Sequence, residues 1–389
     1  MITFLDCNNF WSPSGGGVRR YHLEKIEYYK EREDITYVFV MHDHSTFSEQ
    51  IGPNAFIEHI KVPKVPGKWE YRYLLRSRPL ESVILKYRPD VIEVGSPYIL
   101  PSIVHRIIRR NQLTSQVFGF WHADFPVTYV ARFFRGTPFK KIAEKIAWRH
   151  ARKQYNKMKG VLVASQTIMR RMQENGMKNL HYSPLGVNTE LFHPTKRDEE
   201  LVTTYKAGQP NRLILFFPHR FSKEKGLHIL IKAYDILAKS LAIPPALILA
   251  GTGPYEHLVT RASAKYEHVH YVGFIHKKEE MARYYASSDI AFALSEWETF
   301  GLALVEALSS GISLISASEG AAPEHITNSG AGIVLEQVDP ENLSKAIQAF
   351  AEAKTSNWGN LARKYAEKLS WNQCFDNQRV IYENAAIDK

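Results

Sequence analysis

The chain has 389 residues, a length that predicts two domains. At 44% hydrophobic and 23% charged it excludes a disordered chain, a collagen and a small disulfide scaffold, and its two cysteines, Cys7 and Cys374, make no disulfide framework and no metal spacing, which fits a reducing compartment. The net charge of +10 is uneven: residues 1–185 hold 29 Lys and Arg against 16 Asp and Glu, while residues 186–389 hold 21 against 24, so the first half is expected to face something anionic.

Short β-rich apolar runs alternate with helical patterns, which predicts helices packed on parallel sheets. Met1 to Asp6 has no basic region followed by a long apolar one and reads as a first strand rather than a signal peptide. No apolar run approaches the length of a membrane span, so a cytoplasmic protein is expected. Residues 3–5, 36–41, 91–94, 117–121 and 161–164 read as strands, with helical stretches such as 21–31, 80–87 and 139–157 between them. The pattern then restarts. Strands are expected at 213–217, 246–250, 269–272, 290–294, 313–316 and 332–335, and helices include 227–238, 278–285, 302–309 and 340–353. Turn residues in Ser183-Pro184-Leu185-Gly186-Val187-Asn188 mark the break. The expected division is residues 1–185, residues 186–370, and a helix over 371–389 crossing back to the first domain. The expected fold is α/β, two doubly wound Rossmann-like domains facing across a deep cleft, with ligands at the carboxyl ends of the strands.

Several loops carry chemistry. Gly15-Gly16-Gly17 precedes the first helix, where glycines and free amides suit an anion, although a plain tight turn reads equally well. Arg20 stands where a dinucleotide fingerprint needs glycine, which argues against a nicotinamide-dependent oxidoreductase. His122, in His122-Ala123-Asp124-Phe125-Pro126, ends a strand before a loop closed by proline; a structural histidine is the alternative, and Asp124 makes no dyad with it, since residues two apart on a strand share a face but do not readily hydrogen-bond. Arg220 and Lys225 flank a loop that opens a helix, two cations suited to a diphosphate or else to solvent. Glu298 and Glu306 lie eight apart around Thr299-Phe300-Gly301-Leu302, so Gly301 and Leu302 start a helix whose apolar composition predicts burial. Glu306 is the exception on that helix, and its carboxylate needs partners such as sugar hydroxyls or, alternatively, backbone amides. His42-Asp43-His44 reads as a surface loop, and no metal site is expected. Residues 131–160 carry ten Lys and Arg and one acid, interleaved with Phe133, Phe139, Ile142, Ile146 and Trp148. This predicts a basic amphipathic helix able to sit on an anionic membrane, or simply to pack by one face.

Together these residues resemble the retaining glycosyltransferases of family 4, which have the GT-B fold. The likeness rests on Glu298-Thr299-Phe300-Gly301-Leu302-Ala303-Leu304-Val305-Glu306, on Arg220 with Lys225-Gly226, and on Pro184-Leu185-Gly186-Val187-Asn188-Thr189-Glu190-Leu191-Phe192. Gly251-Thr252-Gly253-Pro254 and Gly320-Ala321-Ala322-Pro323-Glu324 agree, whereas His219 stands where many members have glycine and Asn188 replaces a common aspartate. The resemblance implies an acceptor on the N-terminal domain and a nucleotide-sugar on the C-terminal one. It implies that Arg220 and Lys225 neutralise the diphosphate and that Glu306 holds the ribose. Glu298 and the amides of Phe300, Gly301 and Leu302 would hold sugar and phosphate, Phe274 and Ile275 would cradle the base, and Gly16 and Gly17 would let the first loop approach the donor. His122 becomes the acceptor-side candidate. The implied reaction moves a hexose from a UDP- or GDP-sugar, with retention and without metal or other cofactor. The acceptor is expected to be a membrane-associated glycolipid, lipopolysaccharide or lipid-linked hydroxyl, with a soluble saccharide or small metabolite as the alternative. The rival from outside enzymology, a basic nucleic-acid-binding protein, explains the charge but not Glu306, so no nucleic acid is expected as a partner.

Overall fold

Strands covered on both faces read as nearly continuous apolar runs. Val91–Val94, Gly160–Val163 and Ala246–Ala250 are buried along their whole length, and each lies inside a parallel sheet. The structure is a computed structural model and describes residues 1–11, 16–65, 68–134, 136–352 and 357–387. It divides into two units, Met1–Leu185 with Trp371–Lys389, and Gly186–Ser370.

In the first unit the chain runs β1 (Ile2–Cys7), α1 (Gly17–Lys30), β2 (Ile35–Asp43), β3 (Phe47–Gln50), β4 (Ala55–Lys61), β5 (Lys64–Val65), β6 (Lys68–Arg72), α2 (Arg78–Tyr87) and β7 (Val91–Val94). It continues through α3 (Leu100–Arg110), β8 (Gln116–Phe120), α4 (Lys140–Tyr155), β9 (Gly160–Val163), α5 (Gln166–Glu174) and β10 (Leu180–Tyr182). The eight-stranded sheet has the order β10-β9-β8-β7-β1-β2-β4-β3, parallel except for β3 against β4. In the second unit come α6 (Glu199–Lys206), β11 (Ile214–Pro218), α7 (Leu227–Ser240), β12 (Ala246–Ala250), α8 (Glu256–Lys265), β13 (Val269–Gly273), α9 (Lys278–Ala286) and β14 (Ile290–Ala293). Then follow α10 (Leu302–Ser309), β15 (Ser313–Ser316), α11 (Ala322–Ser329), β16 (Gly332–Val334), α12 (Pro340–Glu352) and α13 (Trp358–Ala366). Its six strands are all parallel, in the order β13-β12-β11-β14-β15-β16. The expected α/β class and doubly wound sheets are therefore present.

The last helix, α14 (Trp371–Ile387), packs on the first unit. Tyr382 donates to Glu93 of β7, and Gln378 bonds Tyr21 of α1 (3.0 Å) and Ser183 (3.0 Å). Phe4 meets Tyr382 edge-on at 5.3 Å. These contacts bury a face of α14 that includes Cys374, Phe375 and Tyr382.

Three local readings need correction. His42-Asp43-His44 is not a surface loop: His42 and Asp43 end β2, and the His42 ring is buried, with Nδ1 3.0 Å from the carbonyl of Arg72. Only His44 is exposed. Pro126 does not close a loop; it opens a π-helical turn, Pro126–Ala131, where a residue without an N–H fits the first position. Strands β3 and β4 stand where none was expected. In β4 the polar residues Glu58 and His59 are buried and break the apolar pattern, and Glu58 is satisfied by Ser48, Lys86 and Tyr87.

Candidate functional site

In the second unit the strand order runs outwards in opposite directions from β11 and β14. Open α/β sheets bind ligands at the carboxyl ends of strands at such a switch point. The loop after β11 carries His219, Arg220 and Lys225, and the loop after β14 carries Glu298, Phe300 and Gly301, so both clusters flank it.

Lys225 Nζ donates to Glu298 Oε1, an ion pair between residues 73 apart in sequence. Both side chains remain partly open, 26% and 20% exposed. Burial pushes the Glu298 carboxyl up, but the charge and hydrogen bond of Lys225 outweigh it and hold the group below its usual range. Arg220, on the same loop, is exposed and has no ion-pair partner among the described residues. The His219 ring turns inwards. Its Nε2–H donates to the carbonyl of Phe292 in β14 (2.7 Å), and burial, reinforced by the Lys225 charge, lowers its pKa to about 4. A neutral, anchored imidazole thus ties the Arg220 loop to β14.

Gly301 caps α10 with φ +88°, a conformation that strains any other L-residue. No side chain caps this helix end; the Leu304 amide donates to the Gly301 carbonyl (2.9 Å), which leaves the amides of Leu302 and Ala303 for an anion. Phe300 is buried, and its carbonyl accepts from His325 Nε2 (2.7 Å), whose Nδ1 pairs with Tyr365 (2.9 Å). The amide of Ala321 donates to the Glu298 carbonyl (2.9 Å), which braces the same loop from the end of β15. Glu306 lies farther along α10 at 8% exposure, the one carboxylate on a buried helix. Phe274 and Ile275 follow β13 but part company: Phe274 is 57% exposed beside His276, whereas Ile275 is buried.

In the first unit the switch point lies between β1 and β7. Asn8 follows β1, Gly95 follows β7 and His122 lies just beyond β8. A Cβ on Gly95 would lie 2.2 Å from Asn8 Nδ2 and 3.0 Å from the His122 ring, so only glycine permits this approach. Asn8 Nδ2 is 2.9 Å from His22 Nε2, and the His22 and His122 rings are 5.7 Å apart. His122 stacks on Phe120 at 4.3 Å, and burial brings its pKa down to about 4, so it is neutral at physiological pH. Arg171 of α5 holds Asp124 at 2.7 Å. Gly16 caps α1 in open space and Gly17 begins that helix, while Ser14 and Gly15 lie outside the described residues.

Sequence reasoning missed Asn8 and His22, and it missed the group beneath them. Lys25 Nζ lies 2.9 Å from Asp6 and 2.8 Å from Glu93, all fully buried. Their only sequence signal is a charge inside a strand or on an apolar helix face, as in Val-Ile-Glu-Val of β7.

The segment 131–160 forms α4 with Ala147, Trp148, Ala151 and Tyr155 inward, Trp148 stacking on Trp121 at 5.9 Å. Phe139, Ile142 and Ile146, and Phe133 before them, are more than half exposed, among the exposed cations Lys140, Lys141, Lys145 and Arg149. Among the described residues no helix is long and apolar enough to cross a membrane, and no three His, Cys, Asp or Glu converge as a metal site.

Glycosyltransferase Family 4 matches residues 15–191, and Glycosyl transferases group 1 matches residues 205–368. The chain carries these two glycosyltransferase domains, in the GT-B fold. It is 24% identical over 311 residues to the sulfoquinovosyl transferase of Arabidopsis thaliana, covering 79% of this chain and 59% of the plant protein. It is 25% identical over 376 residues to the GDP-mannose-dependent alpha-(1-6)-phosphatidylinositol dimannoside mannosyltransferase of Mycobacterium tuberculosis, covering 93% of this chain and 91% of the relative. Among solved structures, sucrose-phosphate synthase from Thermosynechococcus elongatus superposes with a TM-score of 0.74 at 17% identity, over 100% of this chain and 99% of that one.

Proposed function

We propose that this glycosyltransferase moves a hexose, with retention, from a UDP- or GDP-sugar to a hydroxyl of a membrane-associated, lipid-linked acceptor, and that it needs no metal. The observation that carries this reading is the Lys225–Glu298 pair at the β11/β14 switch point, with exposed Arg220 beside it. A lysine has three donors, so Lys225 can keep Glu298 and still donate to a phosphate oxygen. With Arg220 and the uncapped start of α10, it would meet the charge that develops on the departing nucleoside diphosphate. These cations supply what a metal otherwise would. Glu298 would orient Lys225 and the sugar, and Glu306 would accept from the ribose hydroxyls. Exposed Phe274 is the base-side candidate, while buried Ile275 can only shape the loop beneath it. As the sugar becomes oxocarbenium-like, the leaving phosphate takes the proton of an acceptor attacking on the same face, which yields retention without a second protein base. His122, neutral beside Asn8 and His22, would position the acceptor or sugar.

The lipid acceptor is supported by the exposed apolar edge of α4 among lysines, and by the mycobacterial relative, named for a phosphatidylinositol dimannoside. On this reading the enzyme would work as a peripheral protein at the inner face of a membrane. A thermal-shift panel of UDP, GDP, ADP, TDP and NAD, each with and without magnesium, tests the reading. A ligand at a hundred times its Kd adds about 2.7 kcal/mol, a readable rise in Tm. One nucleoside diphosphate is expected to raise Tm equally with and without magnesium. A rise with NAD alone, or with none, overturns the assignment.

A further inference from the structure

A cavity of 610 Å³ opens at the carboxyl ends of β2 and β4, and its lining does not include His122, Asn8 or His22. Three permanent cations, Lys61, Arg72 and Arg76, line it, together with His44. The other described residues that line it are apolar: Val62, Leu74, Leu75 and two prolines. Among the described residues no acidic side chain lines it, and none of the three cations has a carboxylate within ion-pair distance. Uncompensated cations around an apolar hollow call for an anion that carries hydrocarbon.

The walls are built rather than draped. Arg72 Nη1 donates to the carbonyl of Val62 (2.7 Å), and the amide of Tyr73 to that of Pro63 (3.3 Å). His42 holds the Arg72 carbonyl from below (3.0 Å). The amide of Leu74 donates to Asn9 Oδ1 (3.3 Å), which links this wall to the loop that carries Asn8 at the β1/β7 switch point. Arg72 keeps further N–H groups for a ligand, and Lys61 and Arg76 are exposed. Leu75 is 64% exposed at the rim, an apolar surface left for a chain to cover.

We propose that this cavity binds the phosphate-bearing end of a phospholipid-type acceptor, its phosphate on Lys61, Arg72 and Arg76 and the start of its chain on Val62, Leu74 and Leu75. The inference rests on the glycosyltransferase reading and gives its acceptor a chemical class. Because the apolar lining surrounds the cations, a lipid phosphate is the ligand, and free inorganic phosphate is only its headgroup fragment.

Calorimetric titration of the full chain with dihexanoyl phosphatidic acid, below its micelle concentration, tests this. Dihexanoyl phosphatidylcholine and inorganic phosphate serve as comparisons. Phosphatidic acid is expected to bind most tightly. Both Lys61→Ala/Arg76→Ala and Leu75→Asp should weaken it by about tenfold or more, with the ligand-free melting temperature showing that each variant is folded. An unchanged Kd in the double variant overturns the site. So does inorganic phosphate binding as tightly as the lipid with Leu75→Asp unaffected. The nucleotide panel fails separately. A nucleoside diphosphate shift without lipid binding removes this cavity alone, whereas lipid binding lost in both variants, with no nucleotide shift, supports the cavity and removes the donor reading.

Discussion

Lys225 and Glu298 are separated by 73 residues and meet only because the loops after β11 and β14 flank one switch point. If Lys225 meets charge that develops only as the bond to the nucleoside diphosphate breaks, Lys225→Ala should lower turnover more than donor affinity. The expected loss in kcat is above about tenfold, or ~1.4 kcal/mol; steady-state kinetics showing a smaller loss would remove its transition-state role. A second expectation concerns buried imidazoles. Burial lowers His42, His122 and His219 to about 4 from an ordinary 6.5. The unfolded chain takes up these protons as pH falls below 6.5, but the folded chain does not until about 4. Their contribution is therefore fully present above pH 6.5 and is lost as pH falls through that window. The urea midpoint, measured from about pH 7.5 to about pH 4.5, should fall steadily across it. A flat midpoint would show that these rings titrate normally in the fold. The Arg220 and Glu298 motifs were legible because each couples charge to a helix start. Lys25, Asp6 and Glu93 were not, since a buried ion network leaves only isolated charges in apolar patterns.

At the scale of the element, legibility follows burial. Strands such as β9, β12 and β14 are buried throughout and stand out as apolar runs. β3 is exposed along its length, β10 has three residues, and β4 buries polar side chains, so none shows the pattern that marks a strand. Helix α4 has two apolar faces, only one of which is packed. Ile142→Asp/Ile146→Asp alters the open face alone. It is expected to leave Tm unchanged and to abolish sedimentation with phosphatidylglycerol vesicles at low salt. Vesicle binding equal to that of the unaltered chain would separate α4 from the membrane.

For the whole molecule, α14 completes the first unit although 185 residues of the second precede it in the chain. The amide of Val187 bonds the Leu369 carbonyl (2.7 Å), and Val187 pairs with Ser370, so the outgoing and returning strands of chain run side by side. A chain in which residues 1–185 are joined to 371–389 by a short flexible linker is therefore expected to fold and to melt cooperatively in calorimetry. Residues 1–185 alone lose the Tyr382 and Gln378 partners of Glu93 and Tyr21 and are expected to melt lower or aggregate. A first unit equally stable without α14 would contradict this.

The sequence by itself determined the α/β class and the doubly wound pattern, because strands buried on both faces read as nearly continuous apolar runs. It also determined the loops that precede helices, because glycine and charge at a helix start act locally. Only the tertiary structure decided the strand order that creates the switch points at β1/β7 and β11/β14. It alone paired Lys225 with Glu298, turned Ile275 inwards and Phe274 outwards, and gathered Lys61, Arg72 and Arg76 around one cavity. Such pairings join residues distant in the chain, and local periodicity carries no information about which distant neighbour a side chain will meet.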